Sequence, residues 1–192
     1  MRDLFLIDPK VTYLNHGSYG ACPKSVFLDY QNFQKKLEEQ PVQFMNKHFW
    51  EDLKISRDTL GDFINCDGDD ILLFPNPTTA ISNIIENLDI AKGDEILTTQ
   101  HEYGALIRAW NRLSIRKSIS FIQQKIDLPL GSKQTFIDQF CEGINERTKI
   151  IYISHITSQT ALIFPVEKIC KIAKSKGIIT IIDGAHAPGH ID

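Results

Sequence analysis

The chain has 192 residues, 42% hydrophobic and 23% charged, proportions that suit one well-buried core, or one domain with a short appendage. A formal net charge of -3 gives no electrostatic reason for a nucleic-acid or anionic-membrane partner. No apolar run approaches the roughly 18 residues of a membrane span, and the N-terminal run Leu4 to Ile7 is too short for a signal-peptide core. Cys22, Cys66, Cys141 and Cys170 are scattered without CxxC spacing, so reduced thiols in a cytoplasmic protein are expected.

In chain order, residues 1–65 read differently from the rest. "YLNHGSYGACP" (13–23) is rich in Gly and Asn, a helix is expected to about residue 38, and "EEQPVQFM" (38–45) follows. This part reads as an arm and helices packed outside a sheet. From residue 66 to 192 strand and helix patterns alternate. "DILLF" (70–74) is a first strand candidate, and Ile81, Ile84, Ile85 and Leu88 then fall on one helical face. "DEILTT" (94–99) is a second strand, followed by a helix carrying Leu106, Ala109, Trp110 and Leu113. "ISFIQQKI" (119–126) is a third, interrupted by Gln123 and Gln124. A helix near 134–144 leads to a fourth strand, "KIIYIS" (149–154). Val166, Ile169, Cys170 and Ala173 mark a helix closed by Gly177, and "IITIID" (178–183) is the fifth strand. Continuous Ile, Leu and Val strands between amphipathic helices predict an α/β fold: a mostly parallel sheet with helices on both faces.

Ligands of open α/β sheets bind at the carboxyl ends of the strands, so the residues after each strand are the candidates. "FPNPTTAISN" (74–83) offers Asn76 as N-cap, Pro77 in the first turn, and the hydroxyls and amides of Thr78 and Thr79. These can cap the helix or hold a phosphate. "QHEYGALIRAW" (100–110) places His101, Glu102 and Tyr103 at the same edge, Tyr103 either packing or stacking on a ligand. "SHITSQTALIFP" (154–165) adds His155, Thr157, Ser158 and Gln159. Asp183 follows five apolar residues, and a buried carboxylate needs a cation or hydrogen-bond donors. Backbone or side-chain donors would serve, and so would a protonated pyridinium nitrogen. His186 and His190 are four apart near Asp183, but Pro188 and Gly189 between them argue against one helical face, so no metal is expected. A phosphate cradle, an aromatic plate, a polar cluster and an acid together suit pyridoxal 5'-phosphate.

"YLNHGSYG", "NPTTAISNII", "HEYGALIRAW", "SHITSQTALIFPV" and "DGAHAPG", in this order, resemble the class V aminotransferase superfamily of fold type I. The nearest branch is that of the isopenicillin N epimerase-like proteins, close to the cysteine desulfurases. The resemblance implies that Thr78 and Thr79 hold the cofactor phosphate and that Tyr103 stacks on the pyridine ring. It also implies that Ser158 and His186 approach the phenolic oxygen, that Asp183 pairs with the pyridine nitrogen, and that Asn15 to Gly20 line the substrate side, with His16 and Tyr19 as contacts. Tyr103, Ser158 and His186 differ from the desulfurase residues at their positions, and Ala161 stands where the family usually has glycine. The implied activity is chemistry at the α-carbon of an amino acid in a homodimer, with C–S bond cleavage as the alternative. The family's Schiff-base lysine is expected beyond this motif, so the chain reads as the N-terminal half of an enzyme, inactive alone. A catalytically silent α/β module is the alternative of another class. Dinucleotide binding is disfavoured because no GxGxxG follows a strand.

Overall fold

In this computed structural model, which describes residues 1–191, four strands form one sheet in which every pair is parallel: β1 (Glu95–Thr99), β2 (Ser120–Gln124), β3 (Thr148–Ser154) and β4 (Ile179–Asp183), in the order β2-β1-β3-β4. The sheet belongs to the second of two compact units, which begins at Phe74; the first is Met1–Leu73.

Strand periodicity sorts the core into two layers. Ile96, Ile150, Tyr152 and Ile181 point to one face, where α4 (Pro77–Asn87) and α5 (Gly104–Lys117) bring Ile81, Ile85, Leu106, Trp110 and Leu113. Leu97, Ile151 and Ile153 point to the other, where α6 (Lys133–Cys141) and α7 (Val166–Ser175) bring Phe136, Phe140, Ile169 and Ala173. This is the expected parallel sheet with helices on both faces. Gly177, at φ 69, ends α7, and the Ile178 N–H returns to the Ala173 carbonyl.

One expected strand is absent. Residues 71–74 are not paired: a 3-10 turn at Gly68–Asp70 leads into Ile71, whose backbone is extended (φ -99, ψ 124). No described strand pairs with the segment, and Leu72 and Leu73 are exposed. An apolar run sets a preference for extended backbone, but a strand needs a ladder partner. The third candidate is real because β2 is an edge strand, where Gln123 can face water while Phe121 stacks on Trp110.

The first unit holds α1 (Lys24–Glu39), a short α2 (Pro41–Gln43), a π-helical turn (Phe44–His48) and α3 (Phe49–Ile64). The helix expected to about residue 38 is α1; α3 has no counterpart in the pattern reading. Its Phe49, Leu53, Leu60 and Ile64 recur at helical spacing on one face, yet Trp50, Ile55, Phe63 and Ile64 are exposed. It ends at Asn65 in the left-handed conformation. A Cβ on Gly68 would sit 2.4 Å from Asp58 Oδ1, so this glycine permits the close approach of the following turn to α3. Among the described residues no helix is long and apolar enough to cross a membrane.

Candidate functional site

The connections of the sheet locate a topological switch point. From β1 the chain runs through α5 to β2, then through α6 to β3 on the other side of β1. The strand order therefore reverses between β1 and β3, the place where the carboxyl ends of an open α/β sheet leave room for a ligand.

Glu102 spans that gap. It lies just past β1 and is 2% exposed; its Oε1 accepts from Thr99 Oγ1 at 2.6 Å on β1, and its Oε2 accepts from Ser154 N–H at 2.9 Å and Ser154 Oγ at 2.5 Å on β3. Burial raises the Glu102 carboxyl above its usual range; the bonds from Ser154 and Thr99 oppose this, and the Asp183 charge adds to it. At the other end of the same strand pair Glu95 plays a similar tying role, accepting from Asn145 Nδ2 at 2.7 Å and facing Arg147.

Asp183 closes β4 beside Ser154, its register partner on β3, and is 7% exposed. Each oxygen has one protein donor: Oδ2 accepts from the Tyr152 hydroxyl at 3.0 Å, and Oδ1 from the Ala185 N–H at 3.0 Å. A carboxylate offers about four acceptor positions, so both oxygens retain capacity for a ligand cation. The His155 N–H donates to the Asp183 carbonyl at 2.9 Å. Burial lowers the proton affinity of the His155 imidazole.

The other sequence candidates are placed as follows. Tyr103 is the N-cap of α5 and 46% exposed, so its ring is open to a stacking partner. His101 turns toward the Ile126 carbonyl, 3.2 Å from its Nε2, and packs near Phe164. Thr78 and Thr79 sit in the first turn of α4, on the sheet face that carries Tyr152. Asn76 caps that helix as expected, but it takes both Thr79 donors: its Oδ1 accepts the N–H at 2.8 Å and Oγ1 at 3.0 Å. Ser158 is exposed on a turn held by Thr157, whose Oγ1 accepts the Leu162 N–H at 3.0 Å and whose carbonyl accepts the Ala161 N–H at 2.9 Å. His186 is half-buried in the turn after β4, and His190 is exposed. Among the described residues no three His, Cys, Asp or Glu side chains converge as a metal site. Asn15, His16 and Tyr19 lie in the first unit. There the Tyr13 hydroxyl donates to the carbonyls of Asn15 and Tyr19, and the Tyr13 and His16 rings meet edge to face at 4.9 Å.

Tyr152, Thr99 and Ser154 are the members that the strand-end reading passes over. The signal lies in the pattern itself: hydroxyls at the carboxyl ends of two buried strands, Thr98 and Thr99 on β1 and Tyr152 and Ser154 on β3, with Tyr152 and Ser154 on one face by period two. Ala161 is legible in hindsight too. Its φ of 53 is the left-handed region, which costs a residue with a Cβ about 1–2 kcal/mol. Because Ala161 is exposed, Ala161→Gly gives up no packing. After the entropy that glycine adds to the unfolded chain, it should stabilise the fold by about 0.5–1 kcal/mol in a denaturant titration.

A family model described as Aminotransferase class-V matches residues 12–192. The chain belongs to that family. As a class-V aminotransferase-family chain it is 30% identical over 191 residues to an isopenicillin N epimerase of Streptomyces clavuligerus, a match covering 100% of this chain and 48% of that protein. It is 28% identical over 196 residues to an L-cysteine desulfhydrase of Arabidopsis thaliana, covering 94% and 43%. Among solved structures it shares a fold with a C-DES mutant that has glycine covalently linked to its PLP cofactor, with a TM-score of 0.85 at 21% identity, covering 100% of this chain and 51% of that one. The chain spans about half the length of the curated relatives it matches.

Proposed function

We propose that this chain carries the cofactor-binding strand ends of a pyridoxal 5'-phosphate enzyme acting at the α-carbon of an amino acid, in the manner of an isopenicillin N epimerase. The observation that carries the reading is Asp183: a carboxylate buried at a strand end beside the switch point, with acceptor capacity left on both oxygens. When bound, the cofactor supplies an electron sink for a carbanion at the substrate α-carbon. Asp183 would hold a proton on the ring nitrogen, and Tyr103 would cover one ring face. His186 and Ser158 would approach the phenolic oxygen. Thr78 and Thr79 would take the phosphate at the N-terminus of α4, where the helix dipole and the Thr78 N–H favour an anion. A phosphate there must draw the Thr79 N–H and hydroxyl away from Asn76.

Asn15, His16 and Tyr19 are assigned to the substrate side on the family resemblance. We read residues 1–65 as an arm with helices and 66–192 as part of the cofactor-binding domain of a cytoplasmic homodimer. The likeness to L-cysteine desulfhydrases supports cleavage of a C–S bond on a cysteine-like substrate as the second reading.

The test is a titration of the whole gene product with pyridoxal phosphate, followed by absorbance. The parent should bind saturably. Stacking is worth about 0.5–1.5 kcal/mol beyond burial, so Tyr103→Ala should weaken binding about three- to tenfold, while Tyr103→Phe keeps most of it. A parent that fails to bind the cofactor removes the functional reading. Equal binding by both variants makes Tyr103 a packing residue only.

A further inference from the structure

The Tyr152 phenol is a feature of the second unit to which the family motifs assign no role. It is fully buried on the sheet face of α4 and α5, with its ring 5.5 Å from that of Trp110 at 47°. A buried tyrosine hydroxyl needs a partner, and any free carbonyl would serve. This one instead crosses diagonally from β3 to β4. Tyr152 is in register with Ile181, yet its oxygen lies 3.0 Å from Asp183 Oδ2, two residues further along. The opposite oxygen is held from a different direction, by the Ala185 N–H of the following turn.

We propose that Tyr152 is a positioning residue, whose phenol fixes the Asp183 carboxylate in the orientation that presents it to a protonated ring nitrogen. Two donors from two directions lock the rotation of the carboxylate plane about the Cβ–Cγ bond. Without the phenol, Oδ2 is buried with no donor among the described residues, and the charged carboxylate loses part of what stabilises it. Toward Asp183 the phenol can only donate: burial, followed by the Asp183 and Glu102 charges, keeps it protonated far above the ordinary tyrosine range.

The inference rests on the cofactor reading above, and the experiment separates the two. Dissociation constants of the whole gene product are measured for pyridoxal phosphate and for its deaza analogue, which carries carbon in place of the ring nitrogen. The parent should prefer pyridoxal phosphate, because only that ring presents an N–H to Asp183. Tyr152→Phe keeps the ring against Trp110 and should reduce the preference about tenfold, the effect of one hydrogen bond to a charged group. Its affinity for the analogue should stay unchanged. A preference that is unchanged or larger in Tyr152→Phe overturns the proposal, as does an equal loss of affinity for both ligands, which marks a packing role. A parent that binds both ligands equally removes the Asp183 pairing itself, and the proposal with it. A parent that binds neither removes the cofactor reading.

Discussion

Under the proposed pyridoxal-phosphate function, Asp183→Asn is expected to lower turnover of the whole gene product by about 10²–10³-fold, the usual effect of removing one preorganised electrostatic partner. The fold should survive. Asparagine can rebuild both native contacts: its oxygen accepts from the Ala185 N–H, and its amide donates to the Tyr152 oxygen, which accepts as well as donates. The thermodynamic loss should then stay within about 1–2 kcal/mol. What asparagine cannot do is carry the negative charge that keeps a ring nitrogen protonated. The measurements are product formation, followed by chiral chromatography, and a denaturant titration of the same preparation. Parental turnover in a folded variant would remove Asp183 from the chemistry. An unfolded variant would make it a structural acid first.

Much of this site was legible because parallel sheets are written plainly in sequence. Ile96 and Leu97, Ile150 and Ile151, and Ile181 and Ile182 are buried or half-buried from both sides, so the strands appear as unbroken apolar runs and their ends as sudden polarity. That is what singles out Asp183, Tyr103 and Ser158 as candidates. Residues 70–74 show where the signal fails. Their apolarity is the same, but strand identity depends on a neighbour, which no local pattern contains. Helix α3 is a different miss: Phe49, Leu53, Leu60 and Ile64 do share one helical face, but Trp50 and Ile55, exposed and off that face, blur the periodicity.

Polar contacts between distant segments were the least legible part. Tyr152 and Asp183 are 31 residues apart, and Glu102 and Ser154 are 52 apart. Each pair meets only because the sheet order sets β3 between β1 and β4. Glu102 stood in the sequence as one of three polar residues after a strand, with nothing to separate it from His101 or Tyr103. The fold separates them: Tyr103 is open to solvent, His101 turns to a carbonyl, and Glu102 is buried against two strands.

Glu102 is therefore the polar residue of the candidate site whose removal should most damage the fold. Glu102→Ala strips an acceptor from the Thr99 hydroxyl, the Ser154 hydroxyl and the Ser154 N–H together, and a loss of roughly 2–5 kcal/mol is expected. Glu102→Gln should behave differently. Its carbonyl oxygen can accept from Ser154 N–H while its amide donates to one of the hydroxyls, so the β1–β3 tie is kept without a charge. The pH dependence tests this. Burial, chiefly, raises the folded-state carboxyl above its ordinary value of 4.5. From about pH 4.5 up to that raised value, the folded protein binds more protons at Glu102 than the unfolded chain, so the parent loses stability as pH rises through this window. Glutamine has no proton to lose there. Melting temperatures of the two proteins should therefore nearly coincide at acid pH. The variant should then gain on the parent through the window, and the difference should level off above it. A difference that runs the other way would mean that the three donors stabilise the ionised carboxylate more than burial penalises it, and Glu102 would then be a carboxylate that the fold favours in its charged form.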